Sequence, residues 1–211
     1  HHEHRRQRQM CIRDRIHMVF IVVPRFNITT LITMIETLRI ANYLAPYSTF
    51  SWEVASFDGS KVVASNGMTA TIKTANDSLR SAEFVFILGS WGTEHYHNQK
   101  LTAWLRKRAR AGERICGVEL GSYIVARAGL LDGKLATIHW SWLNGFKENF
   151  DRVEVEESLF TLDRKVMTCS GGLAGVDLML RLIEEINGSS FSGEIADQML
   201  HHPIRSAASP Q

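Results

Sequence analysis

The sequence predicts a doubly wound α/β domain, a mostly parallel sheet with helices on both faces. Two observations carry this. Short continuous apolar runs bounded by turn residues suit strands buried on both faces. They alternate with stretches of about 10–15 residues at helical spacing, the pattern of successive strand–helix–strand units.

IHMVFIVV at 16–23 is the first buried strand, turned by residues 24–27. From Thr29 to Leu44 apolar residues recur at helical spacing (Leu31, Met34, Ile35, Leu38, Ala41), and Pro46 stops the helix. FSWEVASF alternates as a strand, and VVASNGMTATIKT reads as a hairpin around Asn66-Gly67. FVFIL at 84–88 is another buried strand, ending in Gly89-Ser90-Trp91-Gly92. Gln99 to Ala111 is a helix with a basic outer face (Lys100, Arg106, Lys107, Arg108, Arg110), read as a solvated face and stopped by Gly112. RICGVE is a short strand, and the helix SYIVARA follows almost at once, with Gly129 just past its end. Next come a strand from Leu135 to His139, a helix from Trp142 to Phe150, and two strands, VEVEE and KVMTC, joined through Leu162-Asp163-Arg164. A helix from Leu173 to Asn187 capped by Gly188, a further helix at 191–200 and the tail HHPIRSAASPQ complete the order.

With 45% apolar and 22% charged residues, the composition excludes wholesale disorder. No apolar run approaches the roughly 18 residues of a membrane span. Residues 1–15 hold five Arg against Glu3 and Asp14 without helical or strand periodicity, and are expected to be a disordered or non-native arm. The remaining 196 residues carry 19 basic and 20 acidic groups, so they lack the cationic excess that non-specific DNA binding requires. Cys11, Cys116 and Cys169 are spaced for neither a disulfide framework nor a metal knot, and a reducing cytoplasm is the default compartment. The expected organisation is an arm (1–15), one domain (16–200) and a tail (201–211).

In open α/β sheets ligands sit at the carboxyl ends of strands near a topological switch point. Three strand ends stand out: Gly89-Ser90-Trp91-Gly92, Glu119-Leu120-Gly121 and His139-Trp140-Ser141-Trp142. The second is shaped like a nucleophile elbow, a tight strand-to-helix turn that pushes one side chain into the pocket, but the occupant is the carboxylate of Glu119. A carboxylate there suits cation binding or acid–base work. The candidate ligand-binding set is therefore Gly89, Ser90, Trp91, Glu119, Leu120, His139 and Trp140, with no metal or cofactor called for. Cys116 and Cys169 read as small buried hydrophobes. Glu36 and Arg39 form either an ordinary i,i+3 pair or, with Asn42, a subunit contact, and Gly171-Gly172 reads as a helix start.

Four stretches, ICGVELGSYIVARAGLLDGKLATIHW, FNITTLITMIETLRIAN, TCSGGLAGVDLMLRLIEE and ADQMLHHPIRSAASPQ, together resemble the N-terminal sensor domain of AraC-type transcriptional regulators of the GlxA group. Those domains fall in the class I glutamine amidotransferase-like superfamily, with PfpI-type proteases and deglycases, and the resemblance spans about residues 16–211. It implies a flavodoxin-like fold and a cytoplasmic, homodimeric effector-binding domain without catalysis. DNA would be contacted only through a C-terminal helix-turn-helix domain toward which residues 201–211 would lead. The superfamily's enzymes carry Cys at the elbow and His after the following strand; here those positions are Glu119 and His139. The resemblance points to regulators that sense quaternary amines such as carnitine or glycine betaine. A rival reading stays open, a PfpI-like hydrolase or lyase using Cys116 or a Glu119/His139 acid–base pair.

Overall fold

A computed structural model describes residues 15–75 and 78–211, so all but one residue of the expected N-terminal arm, Cys11 included, lie outside the described residues. The first strand, β1 (Ile16–Val22), is fully buried from Met18 to Val22, and for this reason the sequence shows an unbroken apolar run rather than alternation. The chain then enters α1 (Ile28–Leu44), whose N-cap Asn27 accepts from the backbone N–H groups of Thr29 and Thr30. Strand β2 (Phe50–Ser56) follows. The antiparallel hairpin β3 (Lys61–Val63) and β4 (Thr69–Thr71) turns at Asn66-Gly67, where Gly67 takes a left-handed φ of 86°. After β5 (Lys73–Thr74) come β6 (Phe84–Gly89), α2 (Gln99–Arg110), β7 (Arg114–Glu119) and α3 (Gly121–Arg127). The remainder comprises β8 (Leu135–Ala136), α4 (Leu143–Asn149), β9 (Glu154–Val155), β10 (Phe160–Thr161), β11 (Val166–Cys169), α5 (Ala174–Asn187) and α6 (Ser189–Gln198).

Among the described residues, seven strands form the main sheet in the order β10-β11-β7-β6-β1-β2-β5. Every pairing in it is parallel except that of β10 with β11. The chain steps outward from β1 in one direction to β2, and in the other to β6, β7 and β11. The switch point thus lies between β1 and β6, as the flavodoxin-like reading requires. Alternate residues of each strand feed two cores. On one face Met18, Phe20 and Phe86 pack under α1, α5 and α6, with Phe20 and Phe86 stacked at 4.9 Å between ring centroids. On the other, Val19, Ile21, Val85 and Ile87 pack under α2, α3 and α4, where Tyr123 meets Phe146 and Phe150 edge-on.

Three expectations need correction. Arg108, read with the solvated face of α2, turns inward, is buried, and pairs with Glu113 at 2.7 Å. VEVEE is not the partner of KVMTC: its residues 154–155 pair in parallel with β8, and it is Phe160-Thr161 that forms the antiparallel edge against β11. The charged alternation of VEVEE suited an edge, but SLFT carries the apolar Phe160 that the end of the main sheet must bury. The expected strand from Leu135 to His139 pairs only at Leu135 and Ala136. Beyond them the Thr137 amide turns to the Thr168 hydroxyl, and His139 caps a 3-10 turn over 140–142. Of the expected trio on α1, Glu36 and Arg39 form the surface ion pair. Asn42 instead turns inward to bond the backbone of Thr49 and Phe50.

The close approach of α3 to the sheet is set by glycine. A Cβ on Gly121 would lie 1.9 Å from the Ile87 carbonyl oxygen, a backbone atom that cannot yield. Gly193, inside α6, faces open space. Gly121→Ala is therefore expected to lower unfolding free energy by at least about 3 kcal/mol. Gly193→Ala should raise it by about 0.5–1 kcal/mol through helix propensity. Urea titrations of both variants beside the parent check the pair.

Candidate functional site

The carboxyl ends of β1, β6, β7 and β11 open into one cavity of about 650 Å³ at the switch point. Its floor is Glu119, which ends β7 with φ 54° and is only 5% exposed. This left-handed backbone makes the turn so tight that α3 begins at Gly121, one residue after Leu120. A non-glycine residue in that region costs of order 1–3 kcal/mol and persists only where its surroundings hold it.

Both carboxylate oxygens of Glu119 are engaged. The Ser90 hydroxyl donates to Oε1 at 2.6 Å, and the Asn27 side-chain amide donates to Oε2 at 3.2 Å. Asn27 Oδ1 simultaneously caps α1, so the orientation of the Asn27 amide is fixed from both sides. Gly171, at φ 91°, closes over the carboxylate; a Cβ there would fall 2.6 Å from Glu119 Cβ and 2.8 Å from Oε2. Burial raises the Glu119 carboxyl above its ordinary value, against the opposing pull of the Ser90 and Asn27 donors. These two residues, and not His139, satisfy the buried carboxylate.

Trp91 and Trp140 both line the cavity and are 58% and 61% exposed. His139 lines the same wall. Its Nδ1 sits 2.8 Å from the Ser141 hydroxyl and 3.3 Å from the Ser141 backbone nitrogen, which donates to it, so the ring proton is assigned to Nε2. Burial lowers its pKa below the ordinary imidazole value. Gly89 and Leu120 do not face the cavity. Leu120 is fully buried in the core beneath α3, and its backbone N–H donates to the Gly89 carbonyl at 3.2 Å. Trp142 packs against Tyr123 in that same core.

Neither described cysteine offers a nucleophile. Cys116 lies wholly within the core beneath α1 and α5, where burial drives its thiol far above the ordinary range, and burial likewise pushes Cys169 up to about 12. Several cavity residues escaped the sequence reading, among them Arg25, Asn27, Arg205 and Gln211. Asn27 carried the signal of a cap just before a helical run. Arg25 resembled an ordinary turn residue; in the structure it occupies a left-handed conformation (φ 66°) at the end of β1.

The sequence profile of the DJ-1/PfpI family matches residues 18–185. The chain belongs to the DJ-1/PfpI family. The HTH-type transcriptional regulator CdhR of Pseudomonas aeruginosa is 34% identical over 186 residues, 88% of this chain and 55% of that protein. GlxA of Rhizobium meliloti, also an HTH-type transcriptional regulator, is 31% identical over 193 residues, 91% of this chain and 60% of that protein. The chain thus spans little more than half the length of these curated relatives. An isonitrile hydratase of Pseudomonas putida is 24% identical over 143 residues, 67% of this chain and 62% of the enzyme, so relatives include a catalyst. An AraC family transcriptional regulator from Pseudomonas putida has the same fold, with a TM-score of 0.81 at 22% identity over 87% of this chain and 99% of that one. The oxidized DJ-1 of Toxoplasma gondii superposes with a TM-score of 0.73 at 21% identity, over 89% of this chain and 99% of that one. No described helix is long and apolar enough to cross a membrane.

The raised pKa of Glu119 has a defined sign in stability. The folded state binds this proton more tightly than the unfolded chain, so the stabilisation from the neutral carboxyl is complete below the unfolded pKa and is lost as pH rises through the folded one. In Glu119→Gln the amide oxygen can accept from Asn27 while its nitrogen donates to the Ser90 hydroxyl. The variant is expected to gain stability relative to the parent as pH rises from about 4.3 toward neutrality. The gain should level off above that range. A flat difference across pH in chemical denaturation would contradict the assignment.

Proposed function

We propose that this chain is the effector-binding part of an AraC-type transcriptional regulator and binds a small cationic or zwitterionic metabolite without turnover. The regulator relatives at 31–34% identity supply the class. The observation that carries the reading is Glu119 at the elbow: a carboxylate held by two donors shares one cavity with two exposed tryptophans, Trp91 and Trp140. A cation entering the cavity restores the electrostatic stabilisation that burial removes from the carboxylate. Trp91 or Trp140 offers a π face, contributing about 0.5 kcal/mol at an exposed rim and about 2 kcal/mol once desolvated. Arg25, which makes no side-chain ion pair or hydrogen bond among the described residues, is available for an anionic group on the same ligand. In this reading the domain works in the cytoplasm as a homodimer. DNA contact falls to the part of such regulators that these residues do not span.

Isothermal titration with glycine betaine, carnitine and choline tests the proposal. Binding to the parent should weaken at least tenfold in Glu119→Gln, and Trp140→Leu or Trp91→Leu should weaken it about two- to thirtyfold. Equal affinity in parent and Glu119→Gln, or no binding by any cationic amine, would overturn the ligand class. A reproducible turnover abolished by iodoacetamide with selective labelling of Cys116 would instead restore the hydrolase reading.

A further inference from the structure

Residues 201–211 do not run free of the domain but pass along the cavity, which Arg205 and Gln211 line, anchored at three points. The first anchor is Asp177, in the first turn of α5 and wholly buried. Its Oδ2 accepts from Arg205 Nε at 3.0 Å and Nη2 at 2.7 Å. Its Oδ1 accepts from the Arg205 backbone N–H at 2.8 Å and lies 2.8 Å from His201 Nε2. The second is the Ala207 carbonyl, which accepts from the Leu159 N–H at 2.9 Å. The third is the Gln211 side chain. Its amide nitrogen donates to the Ile138 and Ser158 carbonyls at 2.9 and 3.0 Å, and its oxygen accepts from the Trp140 N–H at 2.7 Å.

Each anchor reaches a residue that faces the cavity. Arg205 and Gln211 line it directly, and so do Leu159 and Trp140, the residues that the second and third anchors hold. A molecule filling the cavity therefore touches the strap itself and the groups to which the strap is bound.

We propose that the strap 201–211 is part of the binding site and that filling the cavity and docking the strap are one coupled equilibrium. The proposal deepens the sensor reading and rests on it for the identity of the occupant, not for the coupling. The docked strap supplies Arg205 and Gln211 as contact groups, so an occupant binds the docked state more tightly than the released one. Linkage then requires that an occupant hold the strap down by the same factor. Asp177 makes the two states distinct, because a buried carboxylate losing Arg205 and His201 is left unpaired. The strap is thereby driven to release as a unit rather than fray.

The test is amide hydrogen exchange on the full 211-residue chain, read at Arg205 and at Leu159. Ser65, an exposed residue of the β3–β4 turn that lines the cavity, is replaced in Ser65→Trp and, as a milder filling, in Ser65→Phe, so that the cavity is occupied covalently without any ligand. Filling should slow exchange at both amides on the order of tenfold, within the usual range of coupling between linked sites, while exchange in β6 stays unchanged. Gln211→Ala should speed exchange at Arg205, six residues away, by a similar factor. Unchanged exchange at Arg205 in both Ser65 variants and in Gln211→Ala would overturn the coupling. A parallel arm saturates the parent with glycine betaine. Slowed exchange in the Ser65 variants with no amine binding would uphold the coupling and sink the amine reading. Amine binding with unchanged exchange at Arg205 would sink the coupling and leave the sensor reading intact.

Discussion

The left-handed backbone of Glu119 is the constraint on which the site depends, and three missing side chains make room for it. Gly117 lets α3 lie against β7, since a Cβ there would come within 2.7 Å of Ser122 Cα. Gly121 lets the first turn of α3 rest on the Ile87 carbonyl, and Gly171 lets the β11 loop close over the carboxylate. With these distances fixed, the chain leaves β7 and enters α3 within two residues, and the intervening side chain has nowhere to point but the cavity. The strain stored in that turn is offset by the packing of Tyr123, Ile124 and Val125 beneath it. A single conformational requirement thus places one functional group, aims it and sets the height of the floor.

The electrostatics follow from the same placement. A carboxylate buried to this degree is costly unless its lone pairs are satisfied, and Ser90 and Asn27 satisfy one oxygen each. Asn27 serves two masters, capping α1 with its oxygen and binding Glu119 with its nitrogen. The first helix of one half of the sheet is thereby tied to the elbow of the other half across the switch point. Both oxygens of the buried carboxylate thus find donors within the domain itself. The arrangement remains short of full compensation, since burial still holds the carboxyl above its ordinary value. That residual imbalance is what a cationic ligand would relieve.

Most of the fold was legible because strands buried on both faces leave unbroken apolar runs, and because the stops around 46, 112, 129 and 188 are chemically specific. The edge was less so: VEVEE has strand periodicity, yet periodicity says nothing of which neighbour it finds, and a two-residue strand such as Phe160-Thr161 leaves almost no periodic signal. At the site, Glu119, Ser90, Trp91, His139 and Trp140 were legible from their places at strand ends. Leu120 and Gly89 were not separable from them, because the strand-end rule finds a neighbourhood and does not say which side chains turn inward. Arg205 and Gln211 were out of reach. They arrive at the cavity through long-range bonds to Asp177 and Ile138 that no local pattern encodes.

The elbow also bears on what chemistry the cavity favours. In an acyl-transfer elbow the nucleophile is paired with an oxyanion donor, commonly the backbone N–H of the next residue. Here that N–H, on Leu120, is committed to the Gly89 carbonyl, and the residue before it is an anion rather than a thiol. The two described thiols, Cys116 and Cys169, lie in the core, where ionisation is suppressed. A proton-transfer role for Glu119 and His139 would need a path between them, yet each is turned to other partners, Glu119 to Ser90 and Asn27 and His139 to Ser141. Among the described residues, the Arg25 guanidinium and the indoles of Trp91 and Trp140 belong to cavity residues and make no side-chain hydrogen bond or ion pair. Rings and a guanidinium are groups suited to recognising a charged ligand.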